Sequence, residues 1–228
     1  MDANYFLNKR TKFIRFFYDE SLKPFEETKR LIEEEKPPFD NPPYSEDPEP
    51  AYLDEWLEAD SAIEIVGLSC VSMLSESLKL YFGIMQTDVI RFAFSNQEKR
   101  LFKELGFVGA YRAAFGDILD TDWSDCTVDF AVIEQVILVR NRAQHGSDLT
   151  SMRPQHDKHT MEKHPRPIFA EKSAISGSDI THPWFSGPPV KVSRDALFNA
   201  IEEIESLAEY IEGRFDKVAE WRASKQSD

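Results

Sequence analysis

Cysteine is scarce in this chain: there are two, Cys70 and Cys126, in 228 residues. That excludes a disulfide-built scaffold and fits a reducing compartment. Both fall in expected helical surroundings, where a free thiol packs as a small apolar group. Long apolar runs are missing too. No stretch approaches the ~20 apolar residues that a membrane-crossing helix needs. The opening Met1-Asp2-Ala3-Asn4-Tyr5-Phe6 lacks the basic-then-apolar layout of a secretory leader. A cytoplasmic location is the expectation. Glycine is sparse, and Gly106, Gly109 and Gly116 form no phosphate-cradling loop, because no Lys-Ser or Lys-Thr follows them and no strand precedes them. Positive charge is in deficit, with 27 Lys and Arg against 41 Asp and Glu and a net charge of −14. A general nucleic-acid coat would carry a broad basic footprint, so that class is excluded.

What the chain does hold is enough apolar material for a sizeable core, 41% hydrophobic residues including 17 Phe. Its charge is also unevenly spread. Residues 33–60 carry eleven carboxylates against Lys36 alone, a balance of −10. Residues 140–172 carry seven cations against four carboxylates, a balance of +3, together with four of the five histidines. An anionic substrate, if there is one, is expected in that second window.

Apolar periodicity indicates helices throughout. Residues 3–35 read as helix, with a break expected near Ser21 so that Pro24 can occupy the first turn of a second helix. Residues 36–50 hold six prolines and read as an extended connector. Residues 1–50 are thus a helical extension with a Pro-rich acidic linker, and residues 51–228 a helical bundle domain. A long helix is expected over 51–83, with Gly67 marking close approach of another helix and Glu64, Glu76 and Lys79 as candidates to face a site. Residues 84–95 read as irregular. A helix capped by Asn96 is expected to run to about Leu119, a polar turn holding Trp123 to follow, and then a helix over Thr127–His145. Residues 147–192 read as a loop-like insertion. Its His156 and His159 lack the cysteines and helical framing of a zinc site, so no metal is expected. From Ser193 to about Ala223 a closing helix carries a seam of Leu197, Ile201, Ile204, Ala208, Ile211, Phe215 and Val218.

The chemistry concentrates at the end of the Thr127–His145 helix, in Val136-Ile-Leu-Val-Arg140-Asn141-Arg142-Ala143-Gln144-His145-Gly146. At about 100° per residue, Arg140, Asn141, Gln144 and His145 share an arc of roughly 140°, while Arg142 points the other way. An apolar stripe becomes a hydrogen-bonding, cationic patch within two turns. Polar groups on such a face cost free energy unless they are paired or used. A solvated helix end, where cations suit the macrodipole, is the plainer account.

Arg140-Asn141-x-x-x-His145, with the aliphatic run before it and Gly146 after it, resembles the signature of the HEPN superfamily. In that family an Arg, a polar residue and a His sit near the end of the third helix of a four- to five-helix bundle. The resemblance covers roughly residues 50–222, and the order of three core helices, a linker and a closing helix agrees with it. The N-terminal extension and the insertion at 147–192 depart from it. It implies an all-α, HEPN-like antiparallel bundle and a metal-independent endoribonuclease that needs no cofactor. Arg140, Asn141 and His145 would be catalytic, with Gln144 and Arg142 beside them contacting substrate RNA. It also implies a homodimer through the third bundle helix, with a composite cleft, and a role as toxin or antiviral defence effector beside a neutralising antitoxin. Other members are non-catalytic helical modules that bind nucleotide, RNA or a protein partner.

Overall fold

One helix, α2 (Leu53–Ile84), is buried on most sides, and the architecture follows from covering it. Leu68, Cys70, Val71, Leu74, Leu78, Tyr81 and Phe82 are all buried. Helix α1 (Ala3–Glu33) lies antiparallel along it, as the pairs Arg10–Ser77, Lys29–Asp60 and Glu33–Trp56 show. Helices α5 (Phe130–Gln144) and α7 (Arg194–Glu212) pack on other sides of α2 and on each other. The computed structural model describes residues 2–42, 44, 49–96, 98–144, 153–171 and 187–225. Among these the chain is all-α, with eight α-helices and, in place of strands, two isolated β-bridges.

The break expected near Ser21 is absent: α1 runs unbroken through Pro24. Pro24 and Glu20 are both exposed, so the carbonyl of Glu20, which loses its partner at the proline, can turn to water. Contacts on both sides of the proline hold the helix. Before it, Leu7, Ile14, Tyr18 and Leu22 enter the common core. After it, Lys29 pairs with Asp60 at 2.6 Å and sits over the ring of Trp56, whose Nε1 donates to Glu33. Toward α7, Arg15 grips Glu205 through two hydrogen bonds of 2.7 and 3.0 Å.

Of residues 84–95, expected to be irregular, Met85–Ile90 instead continue α2 as a π-helical turn; the chain leaves at Arg91 with φ 63°, and residues 91–95 are irregular as expected. The carbonyls of Val89 and Ile90 at this end accept from the guanidinium of Arg222, which satisfies groups a helix terminus otherwise leaves open. The continuous helix from Leu53 to Ile90 is long and apolar enough to cross a membrane, yet half of its most apolar window is buried inside the bundle.

The helix expected from Asn96 to Leu119 is two, α3 (Glu98–Glu104) and α4 (Gly106–Ile118), divided where Gly106 takes φ 74°. Ser95, rather than Asn96, forms the cap. Its Oγ accepts from the Glu98 amide, and the Glu98 carboxylate accepts from the Ser95 amide. Rings of Phe82, Phe94, Phe102, Phe107, Tyr111 and Phe115 then seal α3 and α4 against the end of α2.

The closing segment is also two helices, α7 and α8 (Phe215–Lys225), parted at Gly213 and Arg214. Ser193 caps α7 as expected; of the expected seam, Leu197, Ile201, Ile204, Ala208 and Ile211 of α7 and Val218 of α8 are buried, while Phe215, the first residue after the break, is exposed. The described parts of the 147–192 insertion are structured. A strap of residues 153–171 contains α6 (Lys158–Lys163) and forms bridges from Gln155 to Pro189 and from Ala170 to Val190. Met161, Phe169 and His156 of the strap are buried. The His156 ring donates from Nε2 to the carbonyl of Phe169 (2.9 Å); a carbonyl only accepts, so Nε2 carries the proton.

Gly67 faces Val192, in the run that leads into α7, and not another helix. A Cβ at position 67 would stand 2.8 Å from the Cβ of Val192. In an open helix Gly→Ala stabilises by up to about 1 kcal/mol. Here the clash reverses the sign, and Gly67→Ala is expected to lower stability by about 1–3 kcal/mol, read as a drop in the urea midpoint. A second expectation concerns acid. Burial holds the pKa of His156 below its ordinary 6.5, against the opposing hydrogen bond to Phe169. As pH falls through about 6.5 the unfolded chain gains a proton that the folded chain refuses, so stability falls. His156→Gln keeps a donor but cannot titrate. Between about pH 7.5 and about pH 5.5 its melting temperature is expected to fall less than that of the wild type.

Candidate functional site

Helix α5 begins where Asp129 accepts the Ala131 amide on its carboxylate, while its own amide is held by Glu203 of α7 (2.7 Å). Val132, Ile133, Val136, Ile137 and Val139 then bury the inner face. The transition foreseen at the end of this run is present. Arg140 is half-buried, Asn141 and Gln144 are exposed, and Arg140 Nη1 donates to Asn141 Oδ1 at 3.2 Å. His145 and Gly146 lie outside the described residues, so the site as described holds Arg140 and Asn141 together with Gln144 one turn beyond Arg140.

Helix α2 adds Lys79 to this patch. Its amine is pushed below its ordinary pKa first by burial and then by the charge of Arg140, with Glu76 pulling the other way. Two cations from different helices thus stand close enough to repel one another in a chain of net charge −14. Phe107 closes one side, its ring centre 6.0 Å from the Lys79 amine. Such a pair, with the donors of Asn141 and Gln144 alongside, is suited to phosphate oxygens, whose charge would relieve the repulsion. Of the three residues singled out on α2, Lys79 reaches the patch and Glu76 feels it. Glu64 lies elsewhere, buried and with its pKa raised by burial, beside Asp60 and within the field of Arg153 and Lys191.

Arg142 faces away from the patch and is ion-paired to Asp157 of the strap. Nearer the start of α5, Glu134 accepts from Lys163 and from Nε2 of His164 (3.1 Å), and Gln135 Oε1 accepts from the Ile168 amide (2.9 Å). The strap is therefore clamped to α5 at Glu134, Gln135 and Arg142. Sequence reasoning missed this clamp, since Asp157 is only one acid in a Pro- and His-rich segment. His156 and His159 do not converge: the first is committed to Phe169, and the second is exposed. Among the described residues no group of three or more His, Cys, Asp or Glu side chains gathers as a metal site would require.

A second feature was not foreseen. A groove of about 1510 Å³ runs between α4, the 120–125 turn and the first half of α5, lined by Arg112, Trp123, Phe130, Glu134, His164 and Arg214 among others. Arg112 stacks on Phe130 with 4.2 Å from guanidinium to ring centre, and Trp123 is pinned by donation of its Nε1 to the Arg112 carbonyl. Glu134 on its wall and Asn141 of the patch are seven residues apart. They lie on one side of α5, separated by about 10 Å along the axis. The signal was the i, i+7 spacing itself, hidden because a glutamate on a helix flank is ordinarily a solvated one.

Compared with protein-family models, with curated proteins and with solved structures, the chain matches none.

Proposed function

We propose that this chain is a metal-independent endoribonuclease of the HEPN type, which cleaves RNA by attack of the substrate's own 2′-OH on the adjacent phosphate. The supporting observation is the juxtaposition of Arg140 and Asn141 with Lys79 at the end of α5. It collects two cations, opposed by Glu76, and an amide side chain on the helix end that leads into His145. The order α2, α4, α5, linker, α7 agrees with an antiparallel bundle of that family, with the motif on its third core helix.

The reaction needs three things. A base takes the 2′-OH proton as that oxygen bonds to phosphorus, an acid protonates the departing 5′ oxygen, and positive charge offsets the phosphorane-like transition state. Imidazole titrates nearest neutrality, so His145 serves as base or acid. Arg140 and Lys79 hold the non-bridging oxygens, and Asn141 positions the phosphate or the imidazole. One chain supplies one imidazole here. A composite cleft, in which α5 tips from two copies meet, would supply the second. A role as a toxin or defence effector, held in check by an antitoxin, would suit such an activity.

The second reading is a non-catalytic helical module that binds nucleotide or RNA, and the net charge of −14 favours it, because a nuclease must draw a polyanion against its own field. Single-stranded RNA incubated in EDTA separates the two. The wild type is expected to produce 2′,3′-cyclic phosphate ends, and His145→Ala and Arg140→Ala to slow cleavage by about 100-fold or more. Lys79→Ala is expected to weaken RNA binding and to flatten its log–log salt dependence by about 0.7, the loss of one phosphate contact. Equal cleavage by wild type and His145→Ala, or cleavage only with added metal, discards the mechanism. Binding without product, unchanged in His145→Ala, supports the module.

A further inference from the structure

The outer surface of the α1/α2 hairpin carries most of the exposed apolar bulk. Of the ten large hydrophobic side chains exposed among the described residues, seven lie on these two helices. They are Tyr5, Phe6, Phe13 and Phe16 on α1, 51–61% exposed, and Leu57, Ile65 and Leu80 on α2, 44–47% exposed. None lies on α5. Phe6 and Phe13 edge an apolar groove of about 520 Å³ that is floored by Ile14 and Tyr81 and closed by Met73, Leu80 and Ile84. Phe13 is braced there by stacking on Phe17, with 6.1 Å between ring centres. An apolar patch of this extent is a contact surface in soluble proteins.

Its charges are segregated along the hairpin. The open half, where α1 starts and α2 ends, exposes Lys9 and Lys12 among the aromatic rings, with Arg10 tied to Ser77; residues 3–17 hold no carboxylate, and α2 exposes Glu76 in this half. The closed half, toward the linker, exposes Glu55 and Glu58 beside Leu57, while the exposed Glu20 and Glu27 of α1 are ion-paired to Lys23 and Arg30, so its anionic character comes chiefly from α2. A surface that is aromatic and cationic at one end and aliphatic and anionic at the other is complementary to itself when turned end over end.

We propose that a second copy of this chain docks antiparallel on the outer face of the α1/α2 hairpin, the aromatic, cationic half of each copy lying on the aliphatic, anionic half of the other. The contact is isologous about a two-fold axis near the hairpin's middle. Its size is sufficient. Helix α1 has 31 residues, so a two-helix face about 45 Å by about 20 Å offers on the order of 900 Å², against roughly 800 Å² per partner in a stable interface. Phe6 and Phe13 are the anchors and Lys9 and Lys12 set the direction. Lys79 lies roughly ten residues from the middle of α2, so the two α5 tips stand on the order of 30 Å apart in this dimer. The contact therefore goes beyond the ribonuclease reading and does not depend on it, since it is separate from any composite cleft.

Sedimentation velocity of the full chain tests it. The expected result is a species of twice 26.3 kDa at micromolar concentration, which loosens as salt rises. Phe13→Asp is expected to raise the dissociation constant at least tenfold with an unchanged far-ultraviolet spectrum, because the ring is already half in water. The pair Lys9→Glu with Lys12→Glu is expected to weaken association at low salt. Mixing that variant with Glu55→Lys/Glu58→Lys is expected to restore it as a heterodimer. His145→Ala is expected to leave association untouched, so loss of cleavage and loss of the dimer are separate readouts. A monomer at every concentration overturns the proposal and leaves the face to another partner. A dimer indifferent to both Phe13→Asp and the Lys9/Lys12 exchange overturns it as well.

Discussion

Everything else in the structure depends on covering the broad apolar face of α2. Its buried positions spread over a wider arc than one neighbouring helix can cover, while Leu57, Ile65 and Leu80 stay exposed on the outer side. Burying an aliphatic or aromatic side chain is worth about 1.5–3 kcal/mol, and α2 alone buries Leu68, Val71, Leu74, Leu78, Tyr81 and Phe82. α1, α5 and α7 are the walls this requires. The same demand fixes where α5 stops being apolar. Its buried face ends at Val139, where α2 still offers Lys79 alongside, and the polar residues after it meet a cation instead of a core.

The walls are held differently, and that difference bears on function. α1 and α7 are joined by charged groups reaching across, such as Arg15 with Glu205 and Asn4 with Glu212. α5 is instead gripped from outside by the strap, through Arg142 with Asp157 and Glu134 with Lys163 and His164. Partly exposed ion pairs of this kind contribute only about 0–1 kcal/mol each. The strap is fixed more by Met161 and Phe169 in the core and by the His156 hydrogen bond than by its charges. The ion pair does decide chemistry. It offsets the charge of Arg142, while Arg140 and Lys79 act on one another at the end of α5.

Much of this was legible in the chain, and the limits have physical reasons. Position 3.6 periodicity revealed α2 and the α7 seam because both bury long, regular apolar sets. Ser193 was readable as a cap because the hydroxyl sits immediately before that seam. Pro24 misled because the cost of a proline in a helix is local, whereas α1 is held by side chains on both sides of it. The Ser95–Glu98 capping box was overlooked in favour of Asn96, although its spacing was plain. The π-helical turn at Met85–Ile90 has no periodic signature, since it depends on Arg222, more than 130 residues away, to close its carbonyls. Arg140 and Asn141 could be placed on one face by spacing, but that Arg142 is neutralised depends on Asp157 and the strap, which no local pattern reveals. Lys79 could be named only as one of three candidates.

The acidity of the chain does not exclude the anion site proposed at the tip of α5. At physiological ionic strength a charge is screened over about 8 Å, so the linker's carboxylates do not set the potential at the tip of α5. What matters there is the local sum. Arg140 and Lys79 are opposed chiefly by Glu76, and Lys79 is partly desolvated, which strengthens its attraction for any anion that comes near. The distant acidity acts on approach instead, slowing a polyanion's encounter with most of the surface and favouring the route on which cations are exposed. A chain of this charge need not bind RNA broadly in order to hold one phosphate well.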